Sequence, residues 1–313
     1  MKDFAARFNF ASAPDSWGVL DYPGPSWNQS YEKMLDEMVA AGYTGSELGP
    51  YGFFPTDPAV LKPQLDQRKL KLLGSFVPVV LSDPASAGIA VEQIRKVGNL
   101  LAALKAPFLV LADAQSEERN RISGRVPADD SAALTAAQWK NVAHVVEQAA
   151  KVASEFGLDL VFHPHVATYV ETPKECERFF DVTSHTGVGL CLDTGHCVYG
   201  HGDAIAEADK FRSVLRFIHI KDVDAGVLDE SRRKKHTFEE AIEEKVFTVI
   251  GKGSIDFPGF FRLLVKNNYS GWMVVEQDVK FGATPIPPAE SIAASLKYLR
   301  GVVGELSAIT VGR

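Results

Sequence analysis

Short apolar segments of strand length alternate with longer amphipathic segments along the whole of this 313-residue chain. This alternation is typical of a parallel sheet covered by helices, because each β/α unit returns the chain to begin a neighbouring strand. Eight units are present, and their strands are near-continuous apolar runs, as expected where both faces of a sheet are buried. The strands are predicted over residues 8–15, 43–49, 71–81, 107–113, 158–165, 188–193, 215–222 and 272–278.

Helix start signals lie between the predicted strands. The segment 135–156 has apolar residues at three- and four-residue spacing and begins with Thr135 and Gln138, the two residues of a capping box. Thr172 and Glu175 repeat this box in the next unit. We therefore predict an α/β fold with helices covering the sheet.

Eight such units fit a closed (β/α)₈ TIM barrel, whose usual size is about 250 residues. We expect a single barrel domain over residues 1–313, with the extra length in rim loops 16–29, 114–134 and 223–255. These loops follow strands, so they lie on the C-terminal rim where barrel active sites are built. An open doubly wound sheet is the alternative, but its glycine-rich first turn is missing.

Composition limits the partners of this chain. It has 33 Lys and Arg against 40 Asp and Glu, a net charge of −7, whereas nucleic-acid binding relies on clustered Lys and Arg. Its three cysteines form no CxxC pair, which favours a reducing compartment. The first residues contain no signal-peptide core, and no segment reaches the roughly 18 apolar residues of a membrane span. We expect a cytoplasmic protein without a nucleic-acid or membrane partner.

Polar side chains stand at the ends of five predicted strands. Because side chains alternate between faces along a strand, residues of one parity on a barrel strand point inward. Asp193 shares its face with Gly189 and Cys191, which are small enough for a barrel interior, so Asp193 is predicted to point inward. The same rule gives inward positions to Glu47, His163, His165, His219, Lys221 and Glu276.

Carboxylates and imidazoles gathered in a barrel mouth would repel one another or be poorly solvated unless a cation lay among them. A lone His219 is most simply a hydrogen-bonded core residue, but together with Asp193 and Glu276 it favours a metal site. Nitrogen and oxygen ligands without thiolates suit Mn²⁺, Co²⁺, Fe²⁺ or Zn²⁺, and suit Mg²⁺ less well because of the imidazoles. Of these ions we expect Mn²⁺ or Co²⁺. The segment Gly251-Lys252-Gly253 is interpreted as a turn rather than a phosphate cradle.

Three strand-end motifs carry a family resemblance: Asp193-Thr194-Gly195-His196, Phe217-Ile218-His219-Ile220-Lys221-Asp222 and Val274-Val275-Glu276. They resemble the xylose isomerase-like barrel superfamily, which includes keto-sugar epimerases, inosose dehydratases and metal-dependent AP endonucleases. A longer match resembles the inosose (2-keto-myo-inositol) dehydratases over almost the whole chain. It includes Gly45-Ser46-Glu47-Leu48-Gly49, His163-Pro164-His165 and Gly251-Lys252-Gly253-Ser254-Ile255-Asp256-Phe257.

The resemblance implies a divalent metal held by Asp193, His219, Glu276 and one group from the fifth predicted strand. At that position the epimerases have a glutamate, whereas this chain has His163. His163, His165 and Glu171 from the following loop are therefore all candidates for the fourth ligand.

The resemblance also implies a reaction, dehydration of a cyclic polyol ketone in inositol catabolism. A proton leaves the carbon next to the carbonyl, negative charge develops as an enediolate, and a neighbouring hydroxyl leaves as water. The candidates for the two proton transfers are Glu47, His165, Glu171 and His196, the last of which matches a substrate-contacting histidine of the superfamily. Lys221 is the candidate for holding a hydroxyl or polarising the carbonyl.

Three alternatives remain at this point. An epimerase or isomerase of keto sugars would use the same metal and enediolate but return the proton. An AP endonuclease would need a basic groove and further zinc-binding histidines, which the net charge of −7 and the His content disfavour. A barrel that binds a ligand or partner subunit without catalysis would hold no metal. Members of the superfamily are often dimers or tetramers, so a homo-oligomer is expected, with loop 223–255 as a candidate contact.

Overall fold

The computed structural model describes residues 4–20, 27, 29–280, 282 and 286–311. Residues 21–26 and 28, in the middle of the predicted rim loop 16–29, lie outside the described residues. The strands are β1 (Phe8–Ser12), β2 (Gly45–Ser46), β3 (Lys71–Leu72), β4 (Phe76–Val79), β5 (Phe108–Asp113), β6 (Asp159–Phe162), β7 (Gly189–Asp193), β8 (Leu215–Ile220), β9 (Asp222–Val223), β10 (Phe247–Thr248) and β11 (Gly271–Val275).

The α-helices lie mainly between these strands. They are α1 (Tyr31–Ala41), α2 (Pro58–Arg68), α3 (Ser86–Ala103), α4 (Glu117–Arg121), α5 (Ala136–Glu155), α6 (Pro173–Thr183), α7 (Thr194–Tyr199), α8 (Ala204–Lys210), α9 (Ala225–Lys234), α10 (Phe238–Glu243), α11 (Phe257–Lys266) and α12 (Pro288–Val311). Thr135 with Gln138 and Thr172 with Glu175 form complete capping boxes at the starts of α5 and α6, as predicted. Within the described part of the chain, no helix is both long and apolar enough to cross a membrane.

Nine strands form one parallel sheet in the order β3-β2-β1-β11-β8-β7-β6-β5-β4. Its two edge strands, β3 and β4, belong to the same predicted strand, 71–81. Leu73, between them, donates its N–H to the Ser46 carbonyl and accepts from the Phe108 N–H. The segment thus bonds to both of its neighbours and closes the sheet into a barrel of eight strands, which confirms the predicted fold.

The barrel interior is apolar along the strands and polar at their C-terminal ends. A small buried cluster fills it, including Cys191 on β7, Phe217 on β8 and Val274 on β11. Two residues further along each chain segment stand Asp193, His219 and Glu276, which are also buried. Because alternate residues share a face, the strands that fill the barrel also aim these polar groups into its mouth.

The two described rim insertions contain secondary structure of their own. Segment 114–134 carries α4, which is held by buried Arg119 through hydrogen bonds of 2.7 and 3.0 Å to the Glu175 carboxylate on α6. Segment 223–255 carries α9 and α10, and begins in the β9–β10 antiparallel ribbon. N-cap residues within these two connections start the short helices. The connections are therefore folded segments rather than open loops.

The glycine-rich segment before α11 is a turn, as predicted. Gly251 and Gly253 donate their N–H groups to the Asp222 carboxylate at 2.8 and 2.9 Å. A Cβ atom on Gly253 would lie 2.3 Å from the Asp222 Oδ1 atom, so a side chain does not fit there. The N–H groups that would cradle a phosphate are engaged by this carboxylate.

Candidate active site

A cavity of about 320 Å³ opens at the C-terminal ends of the barrel strands. The predicted site residues that line it are Glu47, His163, His165, His196, His219, Lys221 and Glu276. Asp193 lies behind this lining, with its Oδ2 atom 3.6 Å from His163 Nε2 and 3.2 Å from Lys221 Nζ. Eight of the nine predicted site residues therefore meet in one place.

His163, Asp193 and His219 form the first group able to hold a metal ion, with one ligand atom of each within 4.8 Å of the others. Asp193 Oδ1 is fixed by the N–H groups of Gly195 and His196, at 2.7 and 2.8 Å. Asp193 Oδ2 and His163 Nδ1 are buried and accept or donate no well-directed hydrogen bond among the described residues. A buried oxygen without a hydrogen-bond donor fits coordination to a cation.

Glu47, His219 and Glu276 form a second group of the same kind, which shares His219 with the first. The His219 ring lies between the two carboxylates, with Nε2 3.3 Å from Glu47 Oε1 and Nδ1 3.1 Å from Glu276 Oε1. Burial favours the neutral form of Glu276, but the neighbouring His219 and Lys221 outweigh it and lower the pKa of Glu276 to about 2. Glu276 is therefore ionised at neutral pH, as a metal ligand must be.

Lys221 is a buried cation surrounded by carboxylates. Its Nζ atom lies 3.2 Å from Asp193 Oδ2, 3.2 Å from Glu276 Oε2 and 2.8 Å from Asp278 Oδ1. Burial alone would lower the pKa of Lys221, but Asp193, Asp278 and Glu276 raise it well above its usual value. The Phe247 ring, 5.1 Å from Nζ, adds a cation–π contact. Lys221 thus stays an ammonium group within reach of the cavity.

The His165 and His196 rings lie 3.9 Å apart between centroids, tilted by 35°, and the Val166 backbone contacts both rings. The Val166 N–H donates to His196 Nδ1 at 3.3 Å, whereas His165 Nδ1 lies 2.7 Å from the Val166 carbonyl oxygen. Burial lowers the pKa of both rings, that of His165 to about 3, so both are neutral. These contacts leave His165 Nε2 as an acceptor, and His196 Nε2 lies 3.1 Å from the Lys221 Nζ atom.

A sequence model of the family described as "Xylose isomerase-like TIM barrel" matches residues 35–302. The inosose dehydratase of Geobacillus kaustophilus (strain HTA426) is 30% identical over 272 residues, which cover 87% of each chain. The chain is an inosose dehydratase-like member of this family. The inosose dehydratase of Yersinia enterocolitica (serotype O:8, biotype 1B) is 31% identical over 277 residues, covering 87% of this chain and 90% of the relative.

Solved structures of this barrel family have the same fold. The crystal structure of the IOLI protein with a bound zinc atom superposes with a TM-score of 0.69 at 15% identity. The match covers 95% of this chain and 98% of that one. At this identity the likeness establishes the fold of the inosose dehydratase-like chain and leaves its site to be argued from its own residues.

Glu171 is the predicted site residue that the structure does not bring into the cavity. Its two carboxylate oxygens accept backbone N–H groups, Oε1 from Gly124 at 2.7 Å and Oε2 from Ala167 at 2.8 Å. Burial raises the pKa of Glu171 to about 7. The carboxyl therefore ties the rim insertion 114–134 to the turn after β6, and its candidacy as metal ligand, acid or base is withdrawn.

Asp15 and Asp278 line the cavity but were missed from the sequence. Together with Glu276 they offer three carboxylate oxygens within 4.8 Å of one another. Burial, Glu276 and Asp278 raise the pKa of Asp15 well above its usual value. The parity rule contained the signal for Asp278, two residues after Glu276. It could not place Asp15, because the chain leaves β1 in a short 3₁₀ turn over Pro14–Trp17.

Proposed function

We propose that this chain is a divalent-metal-dependent dehydratase that removes water from a cyclic polyol ketone, 2-keto-myo-inositol or a close relative. The observation that carries the proposal is the buried cluster of carboxylates, imidazoles and one ammonium group at the base of the cavity. The 30% identity to inosose dehydratases over most of both chains supports the substrate class. The family's sugar-sized substrates are consistent with a cavity of about 320 Å³.

We assign the metal to His163, Asp193, His219 and Glu276. The Asp193 Oδ2 atom, which is paired with Lys221 Nζ at 3.2 Å, also lies close to His163 and His219, and this proximity favours His163 as the ligand from the fifth barrel strand. His165 is the weaker candidate because, among the described residues, it belongs to none of the groups whose ligand atoms lie within 4.8 Å of one another. The donor set suits Mn²⁺ or Co²⁺, and such an ion supplies a Lewis acid for the ketone oxygen and a neighbouring hydroxyl.

The proton transfers are assigned to Glu47 and Lys221. Glu47 lines the cavity and takes the proton from the carbon next to the carbonyl, and the C–H electron pair becomes the enediolate double bond. The neighbouring C–O bond then breaks, Lys221 Nζ gives a proton to the leaving oxygen, and water departs. The resulting enol loses its hydroxyl proton, takes a proton on the carbon that lost the hydroxyl, and becomes the dione. His165 Nε2 accepts a hydrogen bond from a substrate hydroxyl, and His196, 3.1 Å from Lys221 Nζ, positions the ammonium group. After the dione product leaves, Glu47 releases its proton to solvent and Lys221 takes one up.

The test is incubation of Mn²⁺- or Co²⁺-loaded protein with 2-keto-myo-inositol and related keto sugars in D₂O. Dione absorbance reports water loss, and deuterium incorporation next to the carbonyl reports proton removal. We expect both signals with 2-keto-myo-inositol. Exchange without dione would overturn dehydration in favour of the epimerase or isomerase alternative. Binding without either signal would favour the non-catalytic barrel.

Two substitutions separate the proposed steps. Glu47→Gln is expected to reduce both deuterium exchange and dione formation by about 100-fold or more, because both require proton removal. Lys221→Gln is expected to reduce dione formation much more than exchange, because only water loss needs its proton. Glu244→Gln, an exposed residue at the end of α10, is the matched control. Equal losses of exchange and dione in Lys221→Gln would contradict the assignment.

The single domain over residues 1–313, the homo-oligomeric state and the cytoplasmic location stay predictions. So does the expectation of no nucleic-acid or membrane partner. Size-exclusion chromatography with light scattering of the full chain measures the oligomeric state directly.

A further inference from the structure

The two described rim insertions meet at Asn120, above the histidine pair. The Asn120 Oδ1 atom accepts the Phe238 N–H at 2.8 Å, and its Nδ2 group donates to Glu239 Oε2 at 2.5 Å. Arg125 adds a third link, from Nη2 to the His236 carbonyl at 3.1 Å. Two hydrogen bonds therefore fix the first turn of α10 to the 114–134 insertion, and a third fixes the segment just before the helix.

This attachment places α10 over the reacting part of the cavity. The Phe238 ring packs against His165 and His196, with centroid distances of 5.5 Å to each. Phe238, Glu239 and Ile242 all line the cavity. Because α10 belongs to a rim insertion and the metal-binding groups end barrel strands, Glu239 reaches the cavity from its mouth.

Glu239 has one carboxylate oxygen in use and one without a partner. Asn120 holds Oε2, whereas Oε1 is buried and accepts no hydrogen bond among the described residues. A buried acceptor without a donor costs free energy, so such an atom is normally satisfied by protein, water or ligand. The Asn120 amide that holds Oε2 also fixes the conformation of the Glu239 side chain. A ligand that binds Oε1 therefore does not have to order this side chain, which lowers the entropy cost of binding.

We propose that Glu239 Oε1 accepts a hydrogen bond from a hydroxyl of the substrate on the mouth side of the cavity, and that Glu239 selects ketones carrying that hydroxyl. The inference rests on the proposed function, which makes the ligand a ring with a donor group on most of its carbons. A carboxylate only accepts, so an analogue with hydrogen in place of that hydroxyl leaves Oε1 unpaired and binds less well.

The test compares wild type, Glu239→Gln, Glu239→Ala and the control Glu244→Gln, all Mn²⁺-loaded. Each is given 2-keto-myo-inositol and its mono-deoxy analogues, and KM, kcat and the calorimetric Kd are measured. In Glu239→Gln the side-chain carbonyl oxygen still accepts the hydrogen bond from Asn120, and an NH₂ group takes the place of the Oε1 acceptor. We expect the KM and Kd for the full substrate to rise about 10-fold in Glu239→Gln and about 10- to 100-fold in Glu239→Ala. The kcat should stay within about twofold, because Glu239 is assigned no proton transfer.

The deoxy series supplies the second readout. The kcat/KM of wild type should be about 10-fold lower for one mono-deoxy analogue than for the full substrate. Both Glu239 variants should have equal kcat/KM values for that analogue and the full substrate. A merely structural role would lower kcat or folding without removing this discrimination. Unchanged KM and unchanged discrimination in the Glu239 variants of an active enzyme would overturn the inference and leave the proposed function standing. A wild type that neither binds nor converts any polyol ketone would overturn both.

Discussion

Asp193 uses its two carboxylate oxygens for different tasks. Oδ1 caps α7 by accepting the Gly195 and His196 N–H groups, and Oδ2 faces Lys221 and His163. The first task is visible in the sequence, because an aspartate directly before a short helix is a preferred N-cap. The second depends on residues from β8 and from the end of β6, which only the closed barrel brings near. Because Oδ1 is held by the helix cap, the direction in which Oδ2 points is fixed.

At the residue scale, Glu171 is expected to make the unfolding free energy of the protein depend on pH. Burial raises its pKa from 4.5 to about 7, so the folded state binds a proton more readily than the unfolded chain. The stabilisation is complete below about pH 4.5 and is lost as the pH rises to about 7. Relative to Glu171→Gln, the unfolding free energy of wild type should fall by on the order of 3 kcal/mol across this range.

Urea unfolding of both proteins at several pH values between 4.5 and 7.5 measures this difference. Glu177→Gln, an exposed residue on α6, is the control and should follow the wild-type profile. Parallel profiles for wild type and Glu171→Gln would contradict the assignment of Glu171 as a buried structural carboxyl.

At the element scale, the contact between α7 and β8 requires a glycine. A Cβ atom on Gly195 would lie 2.7 Å from Lys221 Cγ and 2.8 Å from Lys221 Cβ, so α7 approaches the strand only without a side chain there. The glycine of the Asp193-Thr194-Gly195-His196 motif thus lets the Lys221 ammonium reach its carboxylates. Gly253 has a similar role beside Asp222, where the Gly251–Gly253 turn wraps a strand-end carboxylate.

Gly195→Ala is therefore expected to move Lys221 and to reduce kcat/KM by about 100-fold while the barrel remains folded. Gly301→Ala is the matched control, because Gly301 is exposed on α12 and an added Cβ meets nothing within 4 Å. This control should keep its activity and gain about 0.5–1 kcal/mol of stability from helix propensity. Steady-state kinetics and urea unfolding provide both measurements. Full activity in Gly195→Ala would show that the Lys221 position does not matter to catalysis.

The sequence predicted some secondary-structure elements well and others incompletely. The capping boxes located α5 and α6 because a cap depends on residues three positions apart. The contribution of α10 to the cavity was not predicted, because nothing local says that Phe238 and Glu239 fold back over β6 and β7. The predicted strand 8–15 was too long, since Pro14 begins a 3₁₀ turn that redirects Asp15.

At the scale of the whole molecule, the cluster links metal binding to folding. Its carboxylates and imidazoles are assembled only in the closed barrel, so a divalent ion binds the folded state far more tightly than the unfolded chain. Mn²⁺ or Co²⁺ at 100 times its Kd should raise the unfolding free energy of metal-depleted protein by about 2.7 kcal/mol. Asp193→Ala and Glu276→Gln should lose both this stabilisation and the activity.

Calorimetric unfolding with and without the ion, together with the dione assay, checks this prediction. The control is Glu244→Gln, which should be stabilised by the ion like wild type. Full activity of either folded ligand variant in metal-depleted buffer would contradict the metal site.

The sequence by itself determined the barrel, the helix starts and the inward parity of the strand-end residues. These follow from periodicity and short-range capping, whose physics lies within a few residues of each position. Only the tertiary structure decided which polar groups share the cavity. It excluded Glu171, included Asp15, Asp278 and Glu239, and placed the Lys221 ammonium among carboxylates. The reason is that barrel closure and the packing of the rim insertions set distances between residues tens to hundreds of positions apart, which local pattern does not encode.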